Sequence, residues 1–253
     1  MEDHKLSLYD NIAKVNAVDP ELYERYPVKR GLRNSDGSGV IAGVTNISNV
    51  HGYLMNEGDK VPDEGKLTFR GYSIYDLVGG DATKIVYLLL MGELPTSSHL
   101  YVLVEALDAQ RNLPDGFTAS KIMSTPSHNI MNLLQRSVLM LYADDPKAEE
   151  RSFEHEISTA ISLISRLPRI MVLAHYAKRA AFYNESMIMH RFIPGQSTSE
   201  TILSMLRPNR EFTPEEARML DIMMSLHAEH GGGNNSTFTT HVVTSSGTDT
   251  YSA

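Results

Sequence analysis

The sequence contains no cysteine. That absence excludes a disulfide framework, a thiol nucleophile and any Cys-ligated zinc or iron–sulfur centre, and it suits a reducing, cytoplasmic address. Long apolar runs are also lacking. The longest, residues 85–91, has seven residues, well short of the ~20 a membrane helix needs. The opening MEDHKLSLYDN has neither the basic segment nor the apolar stretch of a secretory signal. Positive charge is scarce: 23 Lys and Arg face 31 Asp and Glu, for a net charge of -8. No basic block capable of neutralising phosphates occurs, so neither nucleic acid nor a membrane is an expected partner. After Arg218 there is no Lys or Arg at all. What is present, 42% hydrophobic and 21% charged residues over 253 positions, describes a globular chain rather than a disordered or collagenous one.

Asp19-Pro20 reads as an N-cap followed by proline at the first helical position, and RNSDGSG at 33–39 as a loop, so a helical arm and loop are expected over 1–39. Over 40–72 the segments VIAGVTNISNVHGYLM and KLTFRGY are rich in branched and aromatic residues and flank EGDKVPDEG, which predicts a small antiparallel β region around that turn. From Ser73 to the end, apolar 3–4 spacing predicts a helical core over 73–253. Residues 82–92 form an almost wholly apolar helix closed by Gly92, and Ser97 or Ser98 caps a helix reaching about Leu113. Ile130, Leu133, Leu134, Val138 and Leu141 mark one helical face. Phe153, Ile157, Ile161, Ile164 and Leu167 mark another, with a kink or break at Pro168. Thr213-Pro214-Glu215-Glu216 is a capping box, opening a helix that three glycines stop at Gly231. The fold class is therefore mainly α, in one multi-helical domain. Its apolar excess on helices 82–92, 129–142 and 153–176 predicts a second subunit against it.

Reactive residue types concentrate in His227-Ala228-Glu229-His230-Gly231-Gly232-Gly233-Asn234-Asn235-Ser236. A glycine-rich helix end leaves backbone groups unpaired and lets a ligand approach the main chain. A neutral imidazole there can donate to a ketone oxygen and polarise it. Alternatives stay open. His227 and His230 could share a metal, but HAEH is not the HExxH pattern and supplies no third ligand. A phosphate loop lacks the Lys-Ser or Lys-Thr that should follow the glycines. A plain C-cap, with the histidines satisfied by neighbouring carbonyls, needs no ligand. Cations for an anionic ligand would have to come from elsewhere, with Arg70, Arg191 and Arg210 as candidates in this chain.

Five stretches in order resemble the citrate synthase family: GVTNIS with KLTFRGYSIYDLV, YLLLMGELPT, MSTPSHNIMNLLQRSVLMLYADDP, ISLISRLPRIMVLAHYAKR, and PEEARMLDIMMSLHAEHGGGNNSTFTTHVV. Two departures stand out. The family's His-Pro-Met is His128-Asn129-Ile130 here, and Gly231 stands where many members have Glu. The resemblance implies a citrate-synthase-like large domain without the small CoA-binding domain. In it, His230 would hydrogen-bond oxaloacetate, Asn234 would line the same pocket, and Ser236 would orient the main catalytic histidine. It also implies acetyl-CoA as substrate, no cofactor or metal, a homodimer, and condensation to citrate and CoA. The catalytic histidine of a Gly-Pro motif, the aspartate base and the carboxylate-binding arginines match nothing in these 253 residues. The expectation is thus an N-terminal part of a longer enzyme, inactive alone. A 2-methylcitrate synthase or another acyl-CoA/2-oxo acid condensing enzyme, and a non-catalytic helical dimerisation module, are the other readings. Thr- and Val-rich NNSTFTTHVV favours a strand by propensity, whereas the resemblance implies a buried helix from Asn235.

Overall fold

The computed structural model describes residues 19–25, 39, 45–229 and 234–253. The chain divides into two units, residues 1–43 and 44–253. In the first, a short helix α1 (Glu21–Arg25) begins where the Asp19 carboxylate accepts the Glu21 N–H at 3.0 Å, as its capping sequence predicts. Apart from residues 19–25 and 39, the expected 1–39 arm lies outside the described residues.

The second unit opens with an antiparallel sheet, β1 (Ser48–Asn56), β2 (Asp59–Phe69) and β3 (Tyr72–Ser73), in the order β1-β2-β3. The predicted turn is much shorter than EGDKVPDEG. Only Glu57 and Gly58 turn the chain, at φ 50° and 96°, and Asn56 pairs with Asp59. Two consecutive positive φ values give the twist that matches paired strands. The remainder, Pro62 included, extends β2; Pro62 pairs with Tyr53 next to a register shift at His51/Tyr53. β3 reaches only Thr68 and Phe69, so Pro62, lacking an N–H, faces an open edge of β2. Arg70 and Gly71 make a second such turn (φ 49° and 88°). Arg70 then braces it by donating to Asn46 Oδ1 and to the Leu89 carbonyl, each at 2.7 Å.

Helices α2 (Ile74–Leu77) and α3 (Ala82–Met91) pack against the foot of the hairpin, where Phe69, Ile74, Leu77, Ile85 and Leu88 form a buried cluster. Asp81 caps α3, and Gly92 ends it in the left-handed conformation. Helix α4 (Ser97–Gln110) is capped by Thr96, one residue before the predicted serines, and it ends at Gln110 rather than near Leu113. A π-helical turn, Thr118–Met123, follows; no period in the sequence signalled it. Asn129 caps α5 (Ile130–Leu141) by accepting the Asn132 N–H at 3.2 Å.

Helix α6 (Phe153–Tyr183) is the longest element, at 31 residues, and Pro168 does not break it. The predicted inward face is corrected here. None of Phe153, Ile157, Ile161, Ile164 and Leu167 is buried, and Phe153 is 73% exposed. The first half of α6 instead buries Thr159, Ser162 and Ser165. Small side chains let α4 come close, and the hydroxyl of Ser165 donates to the Leu107 carbonyl. The second half buries Ile170, Leu173, Ala174 and Ala177, which join Leu133, Leu141, Phe117, Ile122 and Tyr251 in the largest core cluster, and Val172, which packs with Tyr176, Ile202 and Met205 in another. Pro168 is itself buried in that packing, which offsets the i→i−4 bond its ring removes. By length and mean hydropathy α6 would pass as a membrane span, yet its buried stripe is the centre of this folded unit.

Three helices complete the unit: α7 (Thr198–Leu206), α8 (Pro214–His227) and α9 (Asn235–Thr244). Both α7 and α8 open with full capping boxes, Ser197 with Glu200 and Thr213 with Glu216. Helix α9 confirms a helix from Asn235 over the strand propensity, but it buries no residue, against the expectation of a buried helix.

Candidate functional site

The candidate site lies where α8 runs toward α9. Helix α8 ends at His227, with Ala228 as its cap, three residues before the predicted terminus. His230 and Gly231–Gly233 lie outside the described residues. His227 donates from Nδ1 to the Met223 carbonyl at 2.7 Å, one turn back on its own helix. This is the satisfied, structural histidine of the plain-cap reading, and only Nε2 is left for any other partner. Among the described residues no group of three or more His, Asp or Glu side chains could hold a metal.

Asn234 is placed with more definition. Its Oδ1 accepts the N–H groups of Ser236 at 2.8 Å and Thr237 at 3.1 Å, capping α9. Its oxygen and two of the four free N–H groups that open α9 are thereby occupied, which leaves the helix N-terminus a poor anion cradle. The Asn234 amide can still serve a ligand as a donor through Nδ2. Ser236 sits in the first turn of α9 and is exposed. The structure thus brings Asn234 and Ser236 into one capped turn.

The residue that sequence reading passed over is Asp221, in the second turn of α8. It is 8% exposed and accepts the Ser199 hydroxyl at 2.5 Å and the Ala82 N–H at 3.1 Å. One carboxylate therefore joins the start of α3, the start of α7 and the body of α8. Burial pushes its pKa up, the two hydrogen bonds pull it back, and the raising influence wins. An acid between apolar residues in MLDIMM was the signal available. Of the cationic candidates, Arg70 is spent on the hairpin turn, and Arg191 is exposed.

The family model described as citrate synthase, C-terminal domain, matches residues 34–253; the chain belongs to the citrate synthase family. It is 32% identical to 2-methylcitrate synthase 1 of Corynebacterium glutamicum over 89% of this chain and 55% of that protein. It is 29% identical to citrate synthase of Haloferax volcanii, again over 89% and 55%. The fold resembles citrate synthase from Pyrobaculum aerophilum, with TM-score 0.68 and 25% identity over 85% of this chain and 51% of that one. It also resembles citrate synthase from the thermophilic archaeon Thermoplasma acidophilum, solved in a ternary complex with carboxymethyl coenzyme A and oxaloacetate. There the TM-score is 0.71, with 24% identity over 84% and 51%. The chain spans about half the length of the curated relatives it matches.

Proposed function

We propose that this chain supplies part of the keto-acid pocket of a cytoplasmic enzyme that condenses an acyl-CoA with oxaloacetate. In this reading the enol of the thioester forms a carbon–carbon bond to the oxaloacetate ketone carbon. The ketone oxygen takes up a proton, and water then cleaves the thioester to release the tricarboxylate and CoA. His230 donates to the oxaloacetate, Asn234 lines the pocket as a donor from Nδ2, and Ser236 orients a catalytic histidine. No cofactor takes part. The observation that carries the proposal is the capped Asn234 turn, which occurs in a chain whose family match runs through it. An amide whose oxygen is locked by the α9 cap presents its NH₂ in one orientation, the preorganisation that electrostatic stabilisation of a developing oxyanion requires.

Acetyl-CoA, giving citrate, is the substrate we assign; propionyl-CoA, giving 2-methylcitrate, is the second reading, supported by the Corynebacterium glutamicum relative. The 253 residues contain no Gly-Pro-x-His segment, and nothing in them matches the family's enolising base. A base must reach the proton it removes, so purified chain is expected to release no CoA thiol from acetyl-CoA and oxaloacetate; turnover in that assay would overturn the assignment of roles. Calorimetric titration with oxaloacetate is expected to show binding that His230→Ala and Asn234→Ala weaken. Equal affinity in all three would favour a non-catalytic helical module.

The half-exposed face of Ile157, Ile161 and Ile164 on α6, together with the unburied apolar side chains of α9, supports a homodimer. Sedimentation of a compact monomer at micromolar concentration would contradict it.

A further inference from the structure

We propose that a cavity between α6 and α7 is a second binding site, for a small monocarboxylate with an apolar body whose carboxylate lies at His175. The cavity has a volume of about 630 Å³, within the range of small-molecule sites. Its walls are Ile130 from α5, Met171 and Val172 from α6, Ile188, and Ile202 and Leu206 from α7. Such walls select an aliphatic or aromatic body, because each buried CH₂ favours binding.

The polar groups at this cavity are few and mostly committed. The Tyr176 hydroxyl donates to the Leu206 carbonyl at 2.5 Å. Arg179 is held by two hydrogen bonds to the Glu185 carboxylate, each at 2.5 Å, and Arg207 pairs with Glu216 at 2.5 Å. His175 differs. Its ring stacks edge-on against Tyr176 at 5.5 Å, and neither nitrogen has a hydrogen-bond partner among the described residues. An imidazole lacking a partner at the rim of an apolar chamber is suited to fix the orientation of one polar head group.

The groups facing His175 set the sign of the response. Burial and the charges of Arg179 and Lys178 hold its pKa below the ordinary value, while Glu185 pulls the other way; Tyr176 and Arg207 complete the surroundings. Without an anion beside it, the imidazole is therefore protonated less readily than an ordinary histidine. A bound carboxylate favours the imidazolium, so binding takes up a proton and tightens as pH falls. The cavity reaches Arg207 and Pro208, which precede α8, whereas the candidate catalytic turn follows it. Neither Asn234 nor Ser236 lines the cavity, and the proposal does not rest on the function read at that turn.

The test is calorimetric titration of octanoate and of octanol into the whole chain at pH 7.5 and pH 6.5, with proton NMR of the His175 ring. Octanoate is expected to bind about three- to tenfold more tightly at pH 6.5, octanol equally at both, and the His175 pKa to rise on octanoate addition. His175→Gln should abolish the pH dependence, and Met171→Trp, which fills the chamber, should abolish binding. An absence of octanoate binding, an octanol profile matching that of octanoate, or a His175 titration unmoved by octanoate each overturns the proposal. The NMR readout needs no variant, so misfolding of a mutant leaves the proposal decidable.

Discussion

Helices α7 and α9 are built from similar residues and sit in opposite environments. TSETILSML and NSTFTTHVVT are both short, rich in hydroxyls and capped by a polar side chain. In α7 six of nine residues are buried, its hydroxyls spent inward: Ser199 on Asp221, Thr201 on the guanidinium of Arg111 at 3.0 Å, and Ser204 on Gln196 at 2.8 Å. In α9 no residue is buried, and Thr239 bonds only to its own helix, at the Asn235 carbonyl. Local chemistry made both helices, while partners decided what each hydroxyl does. The helix that carries the candidate site is the one whose side chains have been left available.

The sharpest way to break this comparison is to strip the interior of α7. Met205 is 1% exposed and packs with Val172, Tyr176 and Ile202. Met205→Ala should cost about 2–5 kcal/mol in chemical denaturation, through lost transfer energy and the cavity left behind. A loss below about 1 kcal/mol would mean that α7 is no better packed than α9.

The next effect turns on pH, and it concerns how the segment after α9 is anchored. Tyr251 is 6% exposed. Burial first, and its 2.8 Å hydrogen bond to the Asp145 carboxylate second, push its pKa up to about 12. Asp145 also pairs with His155 at 3.2 Å. A phenol whose folded pKa lies above its unfolded value of about 10 gives stability that is complete below pH 10 and lost as pH climbs through 12. Thermal melts should therefore fall over that window, and Tyr251→Phe should flatten the fall. An unchanged slope in the variant would detach Tyr251 from the core.

Much of this was legible in advance, for reasons specific to each element. Capping boxes at Ser197 and Thr213 satisfy backbone donors within three residues, so their signature is local; Thr213 was read from it, and α8 begins where expected. The glycine after Glu57 marked a turn, but DKVPDEG was misread because β propensity depends on pairing partners that sequence alone does not supply. The face of α6 was misassigned for a related reason. Apolar spacing names a stripe without saying which neighbour meets it; the first half of α6 instead buries the small hydroxyl side chains of Thr159, Ser162 and Ser165, the last of them bonded to α4. At the candidate site, Asn234 and Ser236 came from family resemblance, whereas Asp221 depends on residues 22 and 139 positions away.

Asp221 sharpens the comparison, since it ties the buried helix to the one that leads to the site. In Asp221→Asn the amide oxygen can still accept from Ser199 or Ala82, so the change should be mild near neutral pH. Its consequence lies in the pH response. A buried acid with a raised pKa weakens the fold as pH rises through its folded value, because the unfolded chain ionises first. The variant should lose that decline in mildly acidic denaturation profiles, and an unaltered profile would show that Asp221 is not strained by burial.

The smallest expected effects fall on α9. Asn234→Ala removes the acceptor for two backbone N–H groups and should cost about 0.5–2 kcal/mol of local helix stability. Because α9 buries nothing within the chain, amide exchange should quicken in residues 235–244 while α7 and α8 stay protected. Val242, 47% exposed, should tolerate alanine with a change within about 0.5 kcal/mol in the monomer. If Val242→Ala also leaves sedimentation unchanged, the apolar surface of α9 is not where a second subunit docks. If it shifts the protein toward monomer, the two hydroxyl-rich helices differ only in which chain buries them.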